Sequence, residues 1–118
     1  MTQSPYNWLE VDTRGEVTVI KFLTHAIVDE RVIRILGDEL FRLERLGHRC
    51  FLLDLVSVRH LSSSILATLI KLNKQLQESG GRLALCSIAK DIYPIFEVTH
   101  LHKILKIYGD RDEALLNM

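Results

Sequence analysis

Apolar positions along this chain switch between two spacings: short strand-like runs and longer stretches of helical period. Trp8 to Arg14 reads as a strand ended by Gly15, and Glu16 to Phe22 as a second strand rich in β-branched residues. Only Arg14-Gly15 interrupts them, which predicts a hairpin. Leu23 to Val28 is expected to be a loop. Asp29 can cap a helix running to about Leu46, with Val32, Leu36, Leu40 and Leu43 as its apolar stripe and Gly47 just past its end. Arg49 to Val56 is the most apolar run and is expected to be a buried strand.

A helical period returns from about Ser63 to Ser79. Ile65, Leu69, Leu72 and Leu76 form its inner stripe, Leu66 and Ile70 one shoulder, and Lys71, Lys74 and Glu78 its outer face. Gly80-Gly81 ends it, and Arg82 to Cys86 is another short strand. Ala89 to Val98 is expected to be a short helix with Pro94 in its early turns, where a missing N–H costs least. Leu101 to Tyr108 holds a last edge strand, and Asp110 to Leu116 a terminal helix with acidic residues in its first turn. This order predicts an α/β fold: a mainly parallel sheet of four to five strands, an N-terminal hairpin and about four helices. No linker or repeat divides the chain, so residues 1–118 are expected to form one domain.

Composition narrows the function classes. The chain is 47% hydrophobic and 25% charged, which suits a globular protein rather than a disordered one. Its 118 residues suffice for a core without disulfides or metal. Fifteen basic residues balance fifteen acidic ones, so a general nucleic-acid or anionic-membrane binder is not expected. No apolar run reaches the roughly 20 residues of a membrane span. Met1 to Pro5 lacks the basic and apolar regions of a signal peptide, so the expected compartment is the cytoplasm. Cys50 and Cys86 form no C-x-x-C pair and read as reduced thiols in apolar runs. The five histidines have no metal-ligand spacing, and no metal or cofactor is expected.

The candidate chemistry lies in Ser62-Ser63-Ser64-Ile65-Leu66, which joins a buried strand to a helix start. In parallel sheets, functional sites lie beyond the carboxyl ends of strands, and a helix N-terminus tolerates a phosphate. The three hydroxyls are therefore candidate phosphoacceptors. Equally, Ser62 can serve as an N-cap that bonds the N–H of residue 64 or 65. No nucleophile elbow, P-loop or dinucleotide fingerprint is present, and no catalytic residue is expected. Asp54 is expected near its strand's end, bonding loop N–H groups. Glu10, Asp12, Asp29 and Glu30 show no visible pairing.

From Phe51 to Ala67 the chain reads F-L-L-D-L-V-S-V-R-H-L-S-S-S-I-L-A. With Gly80-Gly81 before a strand and Thr99-His100-Leu101 after a helix, it resembles the STAS domain of the bacterial anti-sigma factor antagonist family. The family pattern is an apolar strand ending in Asp-Leu, a turn, then Asp-Ser-Ser-Gly-Leu-Gly opening a helix. Here Ser62 stands in place of the Asp, Ile65 and Ala67 in place of the glycines, and His100 in place of a further Gly. The resemblance implies a non-enzymatic regulator that binds an anti-sigma factor, often a serine kinase of ATPase fold, and is released by phosphorylation. A phosphatase would restore binding. The acceptor position falls on Ser63, with Ser62 and Ser64 as fallback seats. The expected partner surface comprises Ser62, Ser63 and Ser64, with Leu66 and Ile70 as its apolar part. One alternative keeps the fold but drops the switch, as in a STAS scaffold subunit of a signalling or transport complex. Another is a small nucleotide-binding domain using the helix N-terminus, although it would lack a glycine-rich loop.

Overall fold

The computed structural model describes residues 8–118 in full and, ahead of them, the backbone of Thr2–Gln3. The expectation about a signal peptide in Met1 to Pro5 otherwise falls outside the described residues. Thr2–Gln3 (β1), Leu9–Arg14 (β2) and Val17–Phe22 (β3) pair antiparallel in sequence. Cys50–Asp54 (β5), Arg82–Cys86 (β7) and Lys106–Tyr108 (β8) then extend the sheet in parallel from β3. The resulting order is β1-β2-β3-β5-β7-β8. The expected hairpin and mainly parallel sheet are both present.

The pleat sends alternate residues to opposite faces. Ile20, Phe22, Phe51, Leu53, Leu83 and Leu85 join the main core, beneath Glu30–Arg45 (α1), Ser63–Glu78 (α2) and Tyr93–Val98 (α3). Val17, Val19, Leu52, Ala84 and Cys86 face the other way and meet Ala114 of Arg111–Asn117 (α4). Helix α1 starts at Asp29, whose side chain accepts from the Arg31 N–H at 2.8 Å. Its innermost residues are Ile33, Leu36, Leu40 and Leu43; Val32, expected in that stripe, is half-buried at its edge. Gly47 takes the expected left-handed conformation past the helix end, with φ +107°.

Two expectations change. The region expected as a loop after β3 contains Ala26–Ile27 (β4), which pairs in parallel with His60–Leu61 (β6). Helix α3 begins at Tyr93, because Pro94 fits only its first turn. The stretch from Leu101 holds the expected edge strand, β8, after a 3-10 turn, Leu101–Lys103. Backbone carbonyls of His100 and Leu101 accept bonds from Lys103 and from Ile104 and Leu105, which holds that segment off the sheet until Lys106.

Candidate functional site

The site is the loop from β5 to α2, and it is fixed at both ends. At its start, Asp54 is 4% exposed and uses both carboxylate oxygens. Oδ1 accepts from the Val56 N–H at 3.0 Å, as expected of a strand-end carboxylate. Oδ2 accepts from the Arg111 guanidinium, Nε at 3.0 Å and Nη2 at 2.9 Å. The Leu55 N–H donates to the Cys86 carbonyl at 3.0 Å, and the Val58 N–H closes a turn onto Leu55.

At its other end the loop is stitched to β4. The His25 carbonyl accepts from the Arg59 and His60 N–H groups at 2.7 and 3.1 Å, and the Ile27 carbonyl accepts from the Ser62 N–H at 3.0 Å. His25 Nδ1 reaches back to the Ser57 carbonyl at 3.0 Å, so that nitrogen carries the proton. The hydroxyls at the start of α2 therefore sit on a frame built from four separate chain segments.

The three serines have unlike surroundings. Ser62 is the N-cap residue with extended backbone (φ −99°, ψ 163°), but its side chain makes no capping bond. Its Oγ is buried and has no hydrogen-bond partner. The expected Ser62 cap bond is thus absent. Ser63, the first helical residue, is exposed. Ser64 is half-buried and donates to Glu30 Oε1 of α1 at 2.8 Å.

Leu66 does not belong to a surface. It is 3% exposed and packs in the main core, because the inward face of α2 is wider than a single stripe and takes in both Ile65 and Leu66. Ile70 is 40% exposed. Ser63, Ala67 and Ile70 are all exposed and lie at i, i+4 and i+7, which places them along one face of the helix. Ala67 takes the surface place that Leu66 was expected to share.

Glu30 and Arg111 are the residues of this region that sequence reasoning missed. Glu30 lies 34 positions from Ser64 and Arg111 lies 57 from Asp54. Neither separation leaves a periodic signal. Burial pushes the Cys86 thiol beside Asp54 up to about 12, and the Asp54 charge adds to the effect.

The STAS domain family matches residues 9–114, which span the sheet from β2 to β8, the serine loop and the packed part of α4. The chain belongs to the STAS domain family. This STAS domain is 24% identical over 113 residues to the anti-sigma F factor antagonist of Paenibacillus polymyxa, covering 93% of each chain. An anti-sigma factor antagonist (STAS) domain protein from Planctomyces limnophilus superposes with a TM-score of 0.81 at 26% identity, over 92% of this STAS domain and 95% of that chain. An anti-sigma factor antagonist from Mycobacterium paratuberculosis gives a TM-score of 0.83 at 19% identity, over 98% and 97% of the two chains. Among the described residues, no helix is long and apolar enough to cross a membrane, and no acidic, His or Cys group is placed to hold a metal.

Proposed function

We propose that this STAS domain is an anti-sigma factor antagonist that docks an anti-sigma factor with serine-kinase activity at the start of α2 and is released when Ser63 is phosphorylated. One observation carries the choice of residue. Ser63 is exposed at the first helical position, the Ser62 Oγ is buried, and the Ser64 Oγ is held by Glu30. The similarity to the Paenibacillus antagonist supports the class of partner.

The physics suits a switch without refolding. A phosphoserine carries about −1.5 to −2 charges at neutral pH, and a helix N-terminus tolerates it. Inside a packed interface the same group is desolvated and repels like charge, at a cost of several kcal/mol; each ~1.4 kcal/mol is a factor of ten in affinity. The exposed Ser63-Ala67-Ile70 face gives the partner a small, apolar strip next to the acceptor. The Ser62 N–H is tied to the Ile27 carbonyl, and the Ser64 hydroxyl to Glu30 of α1.

The test is incubation of the purified chain with extract of its native host and ATP, followed by mapping of phosphosites. The expected result is phosphate on Ser63 and none on a Ser63→Ala variant that folds as the parent does. A chain that retains its partner with ATP present and every serine unmodified would instead support the non-switched scaffold reading.

A further inference from the structure

We infer that Glu30 denies Ser64 to phosphorylation, so that the switch has a single seat at Ser63; the inference rests on the functional reading given above. Three consecutive hydroxyls at a helix start would ordinarily offer a kinase three neighbouring targets. Here they differ in what holds them. The Ser64 hydroxyl is a donor, and its proton lies between Oγ and Glu30 Oε1, 2.8 Å apart. Phosphoryl transfer from ATP would form an Oγ–P bond, break the β,γ-anhydride, release ADP and send that proton to solvent or to the kinase. The donor is then gone, and an anion faces a carboxylate with nothing shared between them.

Glu30 is exposed, and no cation among the described residues is paired with its carboxylate. Arg34, one turn further along α1, lines the same groove, yet it forms no ion pair with Glu30 among the described residues. Lys71 lies over the Phe41 ring, 5.5 Å from its centre. The two helices also approach closely below the contact: a Cβ on Gly37 would lie 3.3 Å from Thr68 Cγ2. Ser63, one residue earlier, points to solvent and meets none of these constraints.

A double-mutant cycle with an installed modification decides the matter without any kinase. Phosphoserine is incorporated during synthesis at position 64, or at position 63 as control, in the parent and in Glu30→Gln. Each chain is then unfolded in urea. At position 64 in the parent, phosphate should raise the unfolded-to-folded ratio roughly tenfold, and Glu30→Gln should remove most of that rise. At position 63 the ratio should change by less than about threefold in either background. An equal penalty at 64 in both backgrounds, including failure of both chains to fold, would overturn the inference, and so would no penalty in the parent. Failure of the host extract to modify Ser63 is a separate result. It would remove the proposed switch and leave the cycle's answer about Glu30 standing.

Discussion

Asp54 organises the serine loop although it lies eight positions before Ser62. Its buried carboxylate holds the Val56 N–H through one oxygen and the C-terminal helix through the other. Arg111→Ala would leave that carboxylate with one partner in a site 4% exposed, and should lower stability by about 2 kcal/mol in urea unfolding. A loss below a few tenths would mean that the pair is merely a surface contact. Cys86 gives a pH signature at the same place. Its thiol stays neutral in the folded chain up to about 12, against an ordinary value of 9.0. Above pH 9 the unfolded chain therefore binds fewer protons, and stability falls as pH rises towards 12. Between pH 8 and 10 the parent should lose about 1 kcal/mol more stability than Cys86→Ala. Parallel pH curves for the two chains would show that the buried thiol is not responsible.

Helix α2 shows what the sequence pattern can and cannot convey. Its limits, its inner residues Ile65, Leu69, Leu72 and Leu76, and its glycine stop are all legible, because periodicity and glycine act locally. Whether Leu66 faces solvent depends on how broadly α1 and the sheet cover the helix, which no local pattern specifies. The β4–β6 pairing escaped for a related reason: two residues on each strand carry no alternation, and only the fold brings Ile27 to Leu61. The glycines after α2 also differ in a way that only packing reveals. Gly80 adopts φ +83° with open space around it, so Gly80→Ala should cost about 1 kcal/mol of backbone strain. A Cβ on Gly81 would run into the Arg49 carbonyl oxygen, where β7 enters the sheet beside β5. Gly81→Ala must shift backbone and should cost about 3 kcal/mol. Equal urea midpoints for the two variants would contradict this account of the turn.

At the scale of the whole molecule, the sheet separates two tasks. One face carries the main core beneath α1, α2 and α3, while the other is covered by α4 over β7 and β8. The serine loop lies where these parts meet: β5 feeds it, β4 and α1 flank it, and Arg111 connects it to α4. Such a frame suits a surface read by a partner in two chemical states while the backbone stays in place. The order of strands and helices made the fold legible, and the Phe51 to Ala67 segment made the serine cluster stand out. The different environments of its three hydroxyls come only from long-range contacts, Glu30 with Ser64 above all.

The most direct test compares the affinity of the unmodified chain and the chain phosphorylated at Ser63 for the anti-sigma partner recovered from the native host, together with their urea midpoints. The account predicts binding weaker by roughly a hundredfold or more on phosphorylation, with midpoints nearly unchanged. Equal affinities would contradict it, as would a loss of affinity that merely follows a loss of folding.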